Sequence, residues 1–175
     1  IVQPPQIDMN NEELLLTHLN AYVLTQLGVD EINASIAELM DLSNETAVKL
    51  KDNIKESISN QINKFKFQFA EEFKKVIALL PQNVKSDWYS EDWTLKKIEG
   101  FLPRFESSFN RWIVLFENAT QQRIKAQAII DNHAIAATHE EKRNAKYQER
   151  FARNQIENLK NKDSENRNSS FSEFY

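Results

Sequence analysis

Four cations in one short stretch are the residues most readily given a chemical role. Arg143, Lys146, Arg150 and Arg153 recur at spacings of three, four and three. On a helix that rhythm gathers them into one stripe. There they would contact phosphates without reading sequence. A solvated helix face laced with i,i+4 ion pairs fits the same spacing and is the more frequent outcome. Charge is unevenly spread along the chain, whose net is −4. Residues 1–60 hold ten acids against three lysines, a net of −7, whereas 139–162 hold seven bases against four acids, a net of +3. Such asymmetry can mark a face for nucleic acid.

Other chemistry finds little material. Cysteine is absent, which excludes disulfides, thiolate metal sites and a cysteine nucleophile in this chain. Two glycines cannot build a phosphate-cradling loop. The imidazoles are His18, His133 and His139. His139-Glu140-Glu141 lacks the second histidine that a zinc-binding helix places four residues on. His133 and His139 could approach across a turn, but surface histidines are the simpler reading. His18, beside Leu19, reads as a partly buried, hydrogen-bonded residue and not as a base. The adjacent carboxylates Glu12-Glu13 and Glu71-Glu72 diverge on a helix and read as solvated charges. Trp88, Tyr89, Trp93 and Trp112 would suit a stacking platform for single-stranded nucleic acid. Aromatic residues at helical spacing are more often core. Glu91 and Asp92 next to Trp93 also speak against a phosphate-facing surface there. No catalytic residue, metal ligand or cofactor is assigned to this segment.

The elements that must position these residues are helical. The chain has 175 residues with two glycines and four prolines, too little punctuation for a many-stranded fold. The expectation is all-α: an irregular helical bundle with long helices and a projecting antiparallel helical hairpin. No apolar run approaches the ~20 residues of a membrane span, and no basic leader precedes an apolar segment. The chain opens Ile1-Val2-Gln3-Pro4-Pro5 without a methionine. It reads as a piece of a longer protein, and a reducing cytoplasm suits its composition.

In order, residues 1–9 read as extended. Asn10 or Asn11 caps a helix lined by Leu15, Leu16, Leu19, Val23 and Leu27 and ended by Gly28. A shorter helix over 31–42 faces Ile32, Ile36, Leu39 and Met40 inward. Asn44 opens the longest helix, 45–80, with Ile54, Ile58, Ile62, Phe65, Phe69, Phe73, Val76 and Leu80 on one face. Its length would be ~50 Å, unless a break falls near Asn60–Asn63. Phe67 lies off that face. Ser90 caps a short helix closed by a left-handed Gly100. Pro103 sits in the first turn of the next helix, which carries the aromatic ridge Phe105, Phe109, Trp112, Phe116 and Ala119.

That ridge gives way near Gln121 to Ile124, Ala126, Ile129 and Ile130. A turn follows at Asp131-Asn132-His133. Thr138-His139-Glu140-Glu141 then reads as a capping box. The helix it starts runs to about Asn161, with a thin stripe of Ala145, Ala152, Ile156 and Leu159 and with Tyr147 and Phe151 nearby. The expected division is a helical body over 1–112, a hairpin over 113–161 packed on or projecting from it, and a polar linker with a truncated continuation over 162–175.

Three stretches carry a resemblance: PPQIDMNNEELLLTHLNAYVLTQLGVD at 4–30, SDWYSEDW followed by FLPRFESSFNRWIVLFENATQQRIKAQAIID within 86–131, and SEFY at 172–175. Together they resemble a region that follows the motor in very large bacterial DEAD/DEAH-box helicases of superfamily two, some of them associated with phage defence. In those proteins an Asn-Glu-Glu-Leu stretch opens a helical insert and a Phe-x3-Phe-x2-Trp helix lies within it. The resemblance covers most of the chain, but its motifs are structural. It implies an ATP-dependent parent acting on DNA or RNA, with ATP and Mg bound in flanking motor domains. The Walker A, DEAH and arginine-finger residues of such a motor are not in these 175 residues. The segment would then be a non-catalytic accessory domain that supports the motor or guides a strand. The alternative is an interaction module unrelated to helicases, using 103–161 as a coiled-coil arm.

Overall fold

The computed structural model describes residues 11–28, 35–79, 88–90, 92–132 and 138–161. In chain order come α1 (Glu12–Leu27), α2 (Ile36–Leu39), β1 (Met40–Asp41), β2 (Lys49–Leu50), α3 (Asp52–Ala78), α4 (Trp93–Glu99), α5 (Phe101–Ser107), α6 (Asn110–Asp131) and α7 (His139–Lys160). The described protein is all-α apart from one small ribbon. Two compact units divide it. One holds the described residues of 1–33 and 55–105, the other those of 34–54 and 106–171.

In the first unit, α1 begins and ends as its sequence implies. Asn11 is the N-cap, and its Oδ1 accepts from the Leu14 N–H at 3.3 Å. Gly28 takes the left-handed conformation (φ 70°) that ends the helix without a Cβ clash. Leu15, Leu19, Val23 and Leu24 are buried. His18 lies on the opposite side of the helix from Leu19, Asn20, Val23 and Leu24 and is exposed, so the expectation of a half-buried histidine is corrected.

Helix α3 starts at Asp52, not at Asn44, and runs unbroken through Asn60–Asn63 to Ala78. Its 27 residues reach ~40 Å at ~1.5 Å each. Ile58, Ile62, Phe69 and Phe73 are buried as their spacing implies. At the end Ile77 turns inward (8% exposed) and Val76 outward (50%). Each step of four residues rotates the face by about 40°, so the buried stripe drifts past Val76. Leu80 lies outside the described residues. Phe67 is exposed, with the Lys66 ammonium 5.3 Å from its ring centre. Tyr22 of α1 packs against Phe69 and Phe73 at 6.3 and 5.7 Å between centroids. Its hydroxyl donates to Glu72, which also accepts from Gln68. Burial, reinforced by that carboxylate, pushes the Tyr22 phenol above its usual range. Glu72 is thus a working acceptor and not only a solvated charge.

Helix α4 is capped two residues later than the sequence suggests. Asp92, not Ser90, occupies the N-cap, and the Ser90 carbonyl accepts from the Trp93 N–H at 3.0 Å. The Ser90 hydroxyl donates to Asp92 at 2.6 Å, and Lys96 pairs with the same carboxylate at 2.9 Å. The hydroxyl first, then Lys96, hold the Asp92 carboxyl down at about 2. Trp93 is buried, packs 5.4 Å from Trp88 and 5.9 Å from Tyr89, and donates its indole N–H to Glu12 at 3.1 Å. Glu12 also lies 3.7 Å from Lys97, so it too is tied into the unit. Gly100 ends α4 at φ −86°, a right-handed conformation open to any residue. What a side chain would meet is a close neighbour: a Cβ there would lie 3.1 Å from Arg104 Nη1, which would have to give by a few tenths of an ångström. Arg104 donates to Asn20 Oδ1 at 2.9 and 3.2 Å and to the Lys97 carbonyl at 2.7 Å. Burial among these neutral oxygens lowers its guanidinium to about 10.

In the second unit, the helix expected over 31–42 shrinks to α2, and the chain turns into a ribbon. Met40 pairs with Leu50 and Asp41 with Lys49, antiparallel. Ile32 lies outside the described residues. Asp41 Oδ1 accepts from the Ser43 N–H, and Asn44 Oδ1 from the Thr46 N–H and hydroxyl. These local bonds compete with a helical cap, so Asn44 shapes a turn and does not open a helix. The aromatic ridge is interrupted as well. Helix α5 stops at Ser107, and the Phe109 N–H bonds back to Glu106 at 3.2 Å before α6 starts. Ser107 and Ser108 are weak helix formers at the break. Phe105, Phe109, Trp112, Phe116 and Ala119 are nevertheless all buried.

Helices α6 and α7 pair antiparallel. Trp112, near the start of α6, donates its indole N–H to the Leu159 carbonyl near the end of α7 at 3.2 Å. Their seam is made of Trp112, Phe116, Ala119 and Ala126 on α6, with Ala145, Ala152 and Ile156 on α7. Trp112 stacks on Phe116 (5.1 Å, 12°), and the Lys160 ammonium lies 5.8 Å from the Phe116 ring. Glu117 reaches the ribbon, accepting from the Val48 N–H at 2.9 Å.

Phe116→Ala should cost about 3–5 kcal/mol in urea unfolding, whereas Tyr147→Ala, on the exposed flank, should stay within about 0.5 kcal/mol. The acid limb tests the Asp92 carboxylate, whose side chain bonds Ser90 and Lys96. The folded pKa of Asp92, about 2, lies below its ordinary 3.8. Its stabilisation is therefore present above that ordinary value and is lost as pH falls toward the folded one. Asp92→Asn should make the fall in Tm across this window shallower than in the wild type; superimposable profiles would refute the role.

Candidate nucleic-acid interface

The cationic stripe is carried by α7, and the sequence starts that helix firmly. Thr138 is the N-cap. Its hydroxyl accepts from the Glu141 N–H at 3.2 Å, and the Glu141 carboxylate accepts from the Thr138 N–H at 3.0 Å. The helix turns about 100° per residue. Arg143, Lys146, Arg150 and Arg153 then fall within about 80° of one another and about 120° from the seam centred on Ala145, Ala152 and Ile156. All four are exposed.

The four are not equivalent. Arg153 Nη2 lies 3.1 Å from Glu149 Oε2, and the Glu149 side chain is only 13% exposed at the edge of the seam. Ala145, Ala152 and Leu159 repeat every seven residues, and Glu149 and Ile156 fall at the complementary heptad position. Arg153 therefore neutralises a carboxylate that helix pairing draws out of water. Arg143, Lys146 and Arg150 bond to no carboxylate among the described residues. Glu157 falls on the same stripe toward its end.

Along one flank of the hairpin runs a groove. Gln122 and Lys125 of α6 face Tyr147, Gln148 and Phe151 of α7. Past Gln122 it continues between Leu115, Asn118 and Ala119 on one side and Gln155, Asn158 and Leu159 on the other. Tyr147 is 72% exposed and Phe151 53%. The sequence placed both beside the thin stripe without a role. Their four-residue spacing, out of phase with Ala145 and Ala152, was the available sign of an exposed aromatic row.

Other candidates dissolve into structure. Trp93 and Trp112 are buried, and Trp88 and Tyr89 are half-buried against Trp93. His139 is exposed at the start of α7, and His133 lies outside the described residues. Among the described residues no three His, Asp or Glu side chains gather to hold a metal, and no helix is long and apolar enough to cross a membrane. No family model, no curated protein and no solved structure matches the chain. The helicase resemblance rests on the three quoted stretches alone.

Removing Arg153 should leave Glu149 at the seam without its cation. Arg153→Ala should lower thermal stability by roughly 1 kcal/mol, while Arg143→Ala, Lys146→Ala and Arg150→Ala each stay within about 0.5 kcal/mol. Equal effects at all four would remove the distinction.

Proposed function

We propose that this chain is a non-catalytic helical region that holds the backbone of a nucleic acid along α7. The observation that supports it is the exposed stripe of Arg143, Lys146 and Arg150, none bonded to a carboxylate among the described residues. Arg153 adds charge to the stripe while serving the seam. Contacts from such a stripe track phosphates and carry no sequence information. The resemblance to superfamily-two helicases supplies the setting. The region would guide a strand for an ATP-dependent motor carried by flanking domains, with ATP and Mg belonging to that motor. The work would lie inside the cell, where such substrates are.

A second reading is a helical interaction module. Val114, Leu115 and Ile124 of α6 are about half exposed, and a partner helix would cover them. Concentration-dependent mass in sedimentation would favour it.

Binding of short labelled oligonucleotides across a salt series tests the first reading. Wild-type affinity should fall linearly on a log–log plot. Arg143→Ala/Lys146→Ala/Arg150→Ala should flatten the slope by about 2–3, since each phosphate contact contributes ~0.7–0.9. An unchanged slope discards the stripe as the contact.

A further inference from the structure

We infer that the strand held by α7 is single, and that Tyr147 and Phe151 stack its bases. This rests on the phosphate-holding reading above and adds what kind of strand is taken.

Exposed rings gathered on one helix face can mark an interaction surface. Tyr147 and Phe151 are the two most exposed aromatic residues of the second unit's described part, at 72% and 53%. They stand one turn apart on α7, ~6 Å along its axis. Arg143, Tyr147 and Phe151 share a single i, i+4, i+8 row, and Lys146 and Arg150 form a second row about 100° round the helix from the rings. Cations and rings therefore run in parallel along one helix. A single strand laid there sets its phosphates over the cationic row and turns its bases onto the aromatic one. Basic groove plus stacking ring is the pairing that single-strand binding uses, because every base offers a π-face. A duplex keeps those faces inside its own stack and gains nothing from the rings.

The groove beyond the rings argues the same way. Its walls offer carboxamides from Gln122 and Gln148, both donors and acceptors suited to unpaired base edges. Lys125 adds a positive charge, and no carboxylate lines the groove.

The test uses the whole chain with short single-stranded DNA, single-stranded RNA and matched duplexes, read by fluorescence anisotropy. Tyr147→Ala/Phe151→Ala should weaken single-strand binding roughly tenfold or more. Duplex affinity and the salt slope should be unchanged. Tyr147→Trp/Phe151→Trp should restore single-strand binding and show ligand-dependent quenching above that of the native tryptophans. That second variant keeps the test open should the alanine pair fold poorly. The DNA and RNA arms show which sugar is accepted. Wild-type binding that the alanine pair leaves intact, or an equal loss for single strand and duplex, overturns the stacking role while leaving the cationic stripe standing. Self-association that the alanine pair abolishes without touching strand affinity reassigns the groove to a second copy. Absence of any wild-type binding removes the parent reading along with this one.

Discussion

The antiparallel seam of α6 and α7 is the constraint on which the functional surface depends. It is narrow because α7 contributes two alanines and one isoleucine as its buried residues. Small side chains let two helices approach closely, but they cover little of either flank. Burial strength sits at one end instead, where Trp112 and Phe116 stack and Trp112 bonds to the Leu159 carbonyl. The other end begins at a capping box. Between those anchors α7 has only three buried positions to give inward. Its cations, its amides and both its rings must face out. Tyr147 and Phe151 lie well away from that seam and stay exposed.

Much of the helical framework was legible because it rests on local chemistry. Asn11, Gly28, Thr138 and Glu141 satisfy helix-terminal groups within three or four residues of themselves, and such bonds are written in adjacent letters. Burial of the aromatic ridge was equally plain. What escaped the sequence depends on competition between short-range options. Asn44 suits a cap and an Asx turn alike, and the ribbon partner at Lys49–Leu50 decides for the turn. A two-residue strand leaves no period to detect. Ile77 displaced Val76 because the inward face drifts over a long helix, which a list of spacings does not reveal. The cationic stripe was readable as a stripe. The unequal standing of Arg153 was not, since it follows from Glu149 being pulled to the seam edge by a helix distant in sequence.

Charge is handled in two ways within each unit. At the surface, carboxylates and ammonium groups pair loosely along helix faces, as Lys49 with Asp52 or Lys74 with Glu71, and such pairs contribute little. Deeper in, acceptors are specific. Glu72 takes the Tyr22 hydroxyl, Glu12 the Trp93 indole, Glu117 the Val48 amide. Acidic residues that composition would assign to solvent therefore fix where helices and ribbon meet within each unit. The basic end of the chain makes fewer such commitments, which is why it remains available as surface.

The two glycines are retained for opposite reasons. Gly28 needs freedom of rotation; Gly100 leaves room, because the Arg104 guanidinium lies 3.1 Å from where a methyl carbon would be. Positions 100 and 104 are therefore coupled loci. A lineage that shortened residue 104 would release residue 100 to vary. One that enlarged residue 100 first would press on a cation held among carbonyl oxygens. The size tolerated at one position is thus set by the side chain four residues on.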